Sequence, residues 1–185
     1  MNVAKCMVFV YCFGALLRGQ SSVPKTRAVL PTSRASLTAS PGTKEFSLGS
    51  KIYLTLKIKN TSKQVVRISQ SVPEYDYRVV LTDSNGKEAE RTKQGFAIEN
   101  PGKEIGRTED GGIIVASSPI SFTRLELQPG EEVEVELNLS TLFNFTKPGT
   151  YYLRVRRELQ QELPAVAKDT DEIVFSNPVE LTIVP

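Results

Sequence analysis

The sequence predicts an all-β domain, a sandwich or barrel of short antiparallel strands. Apolar and polar residues alternate in several short segments, which is the period of a strand with one buried face. Pro-Gly and Asn-Gly pairs fall between these segments and predict turns. No helical period of apolar residues persists beyond one turn. Short strands separated by turns, without helices between them, are typical of a sandwich or barrel.

The clearest strand is predicted over residues 51–59, KIYLTLKIK. Successive side chains of a strand point to opposite faces, so its apolar side chains share one face and its lysines the other. The residues predicted to face the core are Ile52, Leu54, Leu56 and Ile58. The triplet Asn60-Thr61-Ser62 then turns the chain into a short strand over residues 64–69.

The same alternation predicts the remaining strands and their buried faces. These strands are expected at residues 75–82, 113–116, 122–127, 131–139, 151–157 and 178–184. Their core-facing residues are predicted to be Tyr77, Val79, Leu81, Val133, Val135, Leu137, Leu139, Tyr151, Leu153, Val155, Val179, Leu181 and Ile183. Turns are predicted at Asn85-Gly86, Gln128-Pro129-Gly130 and Lys147-Pro148-Gly149.

Two polar connections are longer than a minimal turn, at residues 92–112 and 158–171. Both are predicted to be loops without regular structure. Loops of this length are usually functional or disordered.

The N-terminal segment predicts export of the protein. Lys5 precedes an apolar run over residues 6–17, which is too short to span a bilayer as a helix and suits the core of a signal peptide. Small residues at Gly19 and Ser21 predict a signal peptide over residues 1–21, a flexible linker over 22–34 and the domain over 35–185. The alternative is a retained membrane anchor. Cleavage would give a secreted or periplasmic protein that is not inserted in a membrane.

Cysteine usage and charge narrow the function classes. Cys6 and Cys12 both lie in the predicted signal peptide, so no disulfide is expected in the mature domain, a pattern that favours a bacterial export product. The net charge of +2 comes from Lys5 and Arg18, and the rest of the chain carries 21 basic and 21 acidic residues. A neutral domain lacks the cationic excess that nucleic-acid binding needs.

Four stretches resemble bacterial immunoglobulin-like domains: FSLGSKIYLTLKIKNTS, LQPGEEVEVELNL, KPGTYYLRV and SNPVELTIV. The resemblance covers about residues 35–185 and implies a single immunoglobulin-like antiparallel β-sandwich with Greek-key connections. It also implies that Gly149, Tyr151 and Leu153 form a tyrosine corner, with Tyr151 buried and its hydroxyl bonded to the backbone. The chain is similar, in its Pro-Gly turn and Gly-x-Tyr strand, to the bacterial intracellular proteinase inhibitor family.

The residue types present disfavour an enzyme. The chain has no histidine, the commonest general base and metal ligand, and no cysteine outside the signal peptide. We therefore expect no catalytic residue, no metal site and no cofactor. The carboxylates of Asp169, Asp171 and Glu172 are interpreted as a solvated loop, and those of Glu109 and Asp110 as part of a flexible turn.

Two charged strand faces are predicted on the surface. Glu132, Glu134 and Glu136 alternate on one strand, and Lys57 and Lys59 on a strand predicted to be its neighbour, so these charges should pair across the sheet.

A second stripe is assigned to Tyr152, Arg154 and Arg156, with Arg157 beside them. Arginine forks next to an aromatic ring are suited to carboxylates or sugar acids, so Tyr152, Arg154 and Arg156 are the candidate binding stripe. Ordinary protein surface is the competing interpretation.

The function predicted from the sequence is that of a non-enzymatic, extracytoplasmic interaction module. It is expected to recognise a protein or glycan through loops at one end of the sandwich. The alternative is a proteinase inhibitor that inserts one of the long loops into an active-site cleft.

The sequence also contains three Asn-x-Ser/Thr sequons for N-glycosylation, which begin at Asn60, Asn138 and Asn144. A eukaryotic secretory pathway could use them, whereas in a bacterium they would be accidental.

Overall fold

The computed structural model describes residues 33–116, 121–159 and 172–185, and these residues form a two-layer β-sandwich. The predicted signal peptide and residues 22–32 of the predicted linker lie outside the described residues. The strands are β1 (Ala35–Pro41), β2 (Glu45–Ser47), β3 (Tyr53–Asn60), β4 (Val66–Gln70), β5 (Arg78–Asp83), β6 (Glu104–Arg107), β7 (Ile113–Val115), β8 (Thr123–Leu127), β9 (Glu132–Asn138), β10 (Gly149–Leu159), β11 (Glu172–Phe175) and β12 (Val179–Val184). The helices are α1 (Pro73–Asp76), α2 (Lys93–Glu99) and α3 (Leu139–Leu142).

The first sheet places β3 between β1 and β9, and both pairs are antiparallel. All four apolar side chains predicted to point inward from this part of the chain, Ile52, Leu54, Leu56 and Ile58, are fully buried. On β9, by contrast, Val133 and Val135 are only half-buried. β9 lies at the edge of its sheet, where fewer side chains cover an inward position.

The second sheet is centred on β10. One side of β10 pairs with β5, and the other pairs first with β12 and then with β11, all antiparallel. β2 adds to the far side of β12 in parallel, a departure from the purely antiparallel sandwich that was predicted. The strands β4 and β8 form a separate antiparallel pair, and so do β6 and β7.

The core lies between the two sheets and confirms the predicted alternation. Its fully buried side chains come from both layers and pack in one cluster, the arrangement that excludes most apolar surface from water. The largest of them are Tyr77, Phe143, Ile52, Leu54, Leu56, Ile58, Leu81, Leu127, Leu137, Leu139, Leu159 and Leu181.

Two polar residues between β11 and β12 close one edge of the sandwich. The backbone N–H of Ser176 donates to the carbonyl oxygen of Val155 (2.8 Å), and the Ser176 hydroxyl accepts from the Val155 N–H (3.0 Å). The Asn177 amide bonds both backbone groups of Ala39 on β1, at 2.9 and 3.0 Å. The segment between β11 and β12 therefore bonds to both β10 and β1. The contact with Asn177 hinders β1 there from pairing with another chain.

The prediction of an unstructured loop over residues 92–112 is wrong. The segment contains α2, β6 and the turn that leads to β7. The Thr92 hydroxyl caps α2 by accepting from the Gly95 N–H at 2.9 Å. α2 buries only Gly95 and Ile98, and a Cβ at Gly95 would lie 2.0 Å from the Leu142 carbonyl oxygen. The helix is thus stabilised by close packing on α3, which a seven-residue segment does not reveal as a periodic pattern.

The predicted loop over residues 158–171 begins later than expected. Glu158 and Leu159 are the last residues of β10, and Leu159 is fully buried. Residues 160–171 lie outside the described residues. Glu172, assigned to the same polar loop, is the first residue of β11.

The tyrosine corner is confirmed. Tyr151 is buried, and its hydroxyl donates to the carbonyl oxygen of Lys147 at 3.0 Å. Its ring meets Phe145 edge to face, with 5.5 Å between ring centroids. The hydrogen bond fixes the turn that leads into β10.

Replacing Tyr151 with phenylalanine is expected to reduce the free energy of unfolding by about 0.5–1.5 kcal/mol, the net value of one hydrogen bond. The adjacent Tyr152→Phe variant is the matched control, because Tyr152 is exposed and should leave stability unchanged. Urea denaturation of both variants measures the difference. Equal midpoints for the wild type and Tyr151→Phe would contradict the corner.

The Glu172 carboxylate contacts Ser33 and Arg34, the first described residues of the chain. Glu172 accepts hydrogen bonds from the Ser33 hydroxyl (2.5 Å), the Arg34 backbone N–H (2.6 Å) and the Arg34 guanidinium (2.9 Å). Burial alone would raise the pKa of Glu172, but the hydrogen bonds from Ser33 and Arg34 outweigh it and hold the pKa below its ordinary value. The contacts of the domain therefore extend two residues upstream of Ala35.

The lowered pKa predicts a stability difference that depends on pH. A carboxyl whose pKa is lower in the folded state stabilises the fold above its unfolded pKa, about 4.3, and loses that contribution as the pH falls through the folded pKa. Glu172→Gln should thus be less stable than wild type at pH 7 and equally stable near pH 3. Glu180→Gln, at an exposed position of β12, is the control. A gap between wild type and Glu172→Gln that is the same at both pH values would contradict this expectation.

Candidate binding face

The outward face of the first sheet carries charges that neutralise one another. Lys57 lies opposite Glu134, with its Nζ 3.4 Å from a carboxylate oxygen of Glu134 and 3.4 Å from one of Glu132. Lys59 lies opposite Glu132 at 3.8 Å. Hydrogen bonding and attraction to Glu132 and Glu134 raise the pKa of Lys57. The predicted pairing of these two strands is confirmed, and it leaves a solvated, self-complementary surface.

The outward face of the second sheet is different in character. Tyr152, Arg154 and Arg156 project from β10 on the side away from the core. Val80 of β5 lies opposite Arg154, and Phe175 of β11 lies opposite Arg156. We call the surface formed by these side chains and Ile173 the arginine face; its members are Val80, Tyr152, Arg154, Arg156, Ile173 and Phe175. Arg78, Glu158 and Glu180 lie at its margins on the same side of the sheet.

Four large hydrophobic side chains of the arginine face are open to solvent. The exposed fractions are 54% for Val80, 45% for Tyr152, 40% for Ile173 and 50% for Phe175. The solvated face of an antiparallel sheet normally carries polar residues. Apolar groups gathered on an exposed face, in contrast to ones scattered singly, mark interaction sites.

Contacts hold Arg154 in place, and neither arginine of this face has a carboxylate partner among the described residues. The Arg154 guanidinium lies 4.8 Å from the centroid of the Phe175 ring and donates to the Ser176 carbonyl oxygen at 3.2 Å. Arg156 is half-buried. In the described part of the chain, no carboxylate lies within 4.0 Å of either guanidinium. Several other arginines do have a carboxylate at that distance, among them Arg34, Arg67, Arg78, Arg91, Arg107 and Arg157.

Arg157 does not belong to this face, so its assignment to the outward stripe is wrong. It occupies an inward position of β10, two residues after Val155, and only 3% of its surface is exposed. Its guanidinium lies 4.5 Å from the centroid of the Tyr77 ring and 3.8 Å from the Asp76 carboxylate. It also donates to the Ser69 carbonyl oxygen. The strand period alone would have placed it inside.

Sequence reasoning missed three members of the arginine face: Val80, Ile173 and Phe175. A signal existed for Val80, because an apolar residue between the inward Val79 and Leu81 must point outward. β11 is only four residues long and follows a polar segment. Its two outward hydrophobic residues were not recognised as part of a strand.

The other candidate groups are accounted for by local structure. The Asp110 carboxylate accepts from the Thr108 hydroxyl in the turn between β6 and β7, which lowers its pKa. An open cleft of about 350 Å³ beside Tyr151 is lined by the carboxylates of Asp83 and Glu88. Both are already bonded within the domain: Asp83 accepts from two backbone N–H groups, and Glu88 pairs with Arg91 at 3.0 Å.

Among the described residues, no three Cys, Asp or Glu side chains are placed to share a metal ion. The helices described here are all too short or too polar to cross a membrane.

Comparison with known proteins gave likenesses to solved structures only. Neither the protein-family models nor the curated proteins contain a match to the sequence. The CARDB domain of a Pyrococcus furiosus protein, solved with di-metal ions, is 12% identical, with a TM-score of 0.39 over 81% of this chain and 87% of that one.

Parts of two β-glucosidases also match this chain. A mutant enzyme from Listeria innocua, in complex with laminaribiose, is 17% identical with a TM-score of 0.38 and matches 83% of this chain. The enzyme EmGH1 from Erythrobacter marinus is 11% identical with a TM-score of 0.38 and matches 81% of this chain. The chain spans 16% and 15% of these enzymes. Likenesses of this size do not assign the chain to a family.

Proposed function

We propose that this chain is a non-enzymatic, extracytoplasmic interaction module that binds a partner protein through its arginine face. The observation that carries the proposal is the exposure of Val80, Tyr152, Ile173 and Phe175 together on one sheet face. The export signal predicted from residues 1–21 supports an extracytoplasmic location.

The composition of the face favours a protein over a glycan. Protein interfaces are enriched in aromatic residues and arginine and depleted in lysine, and the arginine face contains two aromatic residues, two arginines and no lysine. Aliphatic side chains such as Val80 and Ile173 complement the apolar side chains of another protein. The sheet also provides a rigid support, so binding requires little ordering of the backbone.

Capture from an extracytoplasmic extract tests the proposal. The immobilised domain should retain a partner that the Tyr152→Ser variant does not retain, because interface energy is concentrated in such aromatic residues. Tyr53→Ser is the matched control, since Tyr53 is an exposed tyrosine of the first sheet and should be dispensable. If both variants capture equally well, the arginine face is not the binding surface.

Two other results of the same capture would replace the proposal. Elution of the bound material by free saccharides would assign the module to glycan recognition. Retention of an inhibited proteinase, released by substitutions at the turn around Gly112, would assign it to the proteinase inhibitors.

If the protein is exported, the mature chain should lack the predicted signal peptide, residues 1–21. Exported protein should begin at Ser22, because cleavage after Ser21 leaves small residues at the two recognised positions before the cut. N-terminal sequencing of the exported material checks this. A chain that starts at Met1 would show that the segment is retained.

A further inference from the structure

We propose that the partner presents an acidic, extended segment to the arginine face, with carboxylates directed at Arg154 and Arg156 and apolar side chains beside them. This inference rests on the proposed function, because it names the chemistry of the ligand for the same face. The arginine face would bind the segment as a cationic strip with apolar borders.

Charge complementarity identifies the occupant. Within the described residues, Arg154 and Arg156 lack the carboxylate partner that other arginines of the domain have. A partner that covered both guanidinium groups without supplying negative charge would bury unpaired cations, which is strongly unfavourable. A separate carboxylate at each arginine would instead accept two parallel hydrogen bonds from that guanidinium group.

The spacing of the two arginines matches an extended segment. They are two residues apart on β10, so their Cα atoms are separated by about 6.6 Å along the strand. Carboxylates two residues apart on an extended segment have the same separation. Since Arg154 is held by Phe175 and Ser176 before any partner arrives, less side-chain freedom is lost on binding.

The apolar borders limit the ligand further. Val80 lies on one side of Arg154, and Phe175 lies on the other side of β10, opposite Arg156. An inorganic anion or a single free carboxylate would leave these side chains exposed. A peptide that alternates acidic and apolar residues would bury them and neutralise the arginines together.

The test uses three labelled ten-residue peptides that carry leucines and differ only at two positions, i and i+2. These positions hold glutamates, glutamines or lysines. NMR of the purified domain follows the Nε–Hε signals of Arg154 and Arg156 during titration. The glutamate peptide should shift both signals and bind at least about tenfold more tightly than the glutamine peptide at low salt. Raising the salt should reduce this advantage, and the lysine peptide should not bind.

Two variants localise the effect. Arg156→Gln should abolish the preference for glutamate, whereas Lys57→Gln, on the outward face of the first sheet, should keep it. Equal binding of the glutamate and glutamine peptides would overturn the inference while leaving the arginine face as a binding surface. Absence of any peptide binding at millimolar concentration would also overturn it. The proposed function would fall separately, if Tyr152→Ser still captured the partner from extract.

Discussion

Replacing Asn60 with aspartate is expected to destabilise the domain by about 3–5 kcal/mol, the range for a buried charge without compensation. Asn60 is fully buried, and its amide nitrogen donates to the carbonyl oxygens of Gln64 (2.7 Å) and Leu127 (2.8 Å). Its amide oxygen accepts from the backbone and hydroxyl of Ser62 at 2.9 and 2.8 Å. Aspartate has the same shape but would direct a carboxylate oxygen at two carbonyl oxygens.

The same chemical change at Asn138 is the control. The Asn138 side chain caps α3 by accepting from the Ser140 N–H at 3.0 Å, and aspartate caps a helix equally well. Urea denaturation at pH 7 should therefore show a large shift for Asn60→Asp and almost none for Asn138→Asp. Equal urea midpoints for Asn60→Asp and Asn138→Asp would contradict the hydrogen bonding described for the Asn60 side chain. A glycan on Asn60 in the folded protein would contradict it as well.

Replacing Arg157 with methionine is expected to cost about 3–5 kcal/mol, since it removes one partner of a buried ion pair. The side chains of Arg157 and Asp76 are 4% and 12% exposed. The variant would leave the Asp76 carboxylate with only its two hydrogen bonds from Ser71, at 2.8 and 2.6 Å. It would also uncover the ring of Tyr77, whose buried hydroxyl has no hydrogen-bond partner among the described residues.

The neighbouring residue provides the comparison for this second change. Arg156 is half-buried on the opposite face of β10 and has no carboxylate partner among the described residues. Arg156→Met should change stability by no more than about 0.5 kcal/mol. Denaturation midpoints of the two variants test the alternation directly, and a larger loss for Arg156→Met would contradict the inward position of Arg157.

The sequence was sufficient to predict the elements in which alternation is strong. β3, β10 and β12 bury the residues that their period of two predicts. The pairing of β3 with β9 was predicted from the resemblance to immunoglobulin-like domains, and the charge pairs followed from it. The tyrosine corner at Tyr151 was also predictable, because it depends on a short local motif. The strand alternation and the tyrosine corner have in common that residues close together in the sequence carry the whole signal.

Other features depend on contacts between distant residues and were not predicted. α2 exists because Gly95 packs on the backbone of Leu142, a contact between residues far apart in the chain. Arg157 was assigned to the surface by its residue type although its strand position is inward, since the buried Asp76 that compensates it could not be seen from the sequence.

The candidate site was predictable only in part. Tyr152, Arg154 and Arg156 lie on one strand and follow from its alternation. Val80 and Phe175 reach the same face from two other strands, so only the register of the sheet brings them together. The sequence therefore indicated the basic stripe but not the apolar surface around it.

Site-specific photo-crosslinking tests the arginine face most directly. A photoreactive amino acid would replace Val80 or Ile173 on that face, and Tyr53 on the first sheet as the comparison. After irradiation in the extracytoplasmic extract, positions 80 and 173 should form the same adduct with one partner protein, and position 53 should form none. An adduct from position 53, with none from positions 80 and 173, would contradict the assignment of the binding surface.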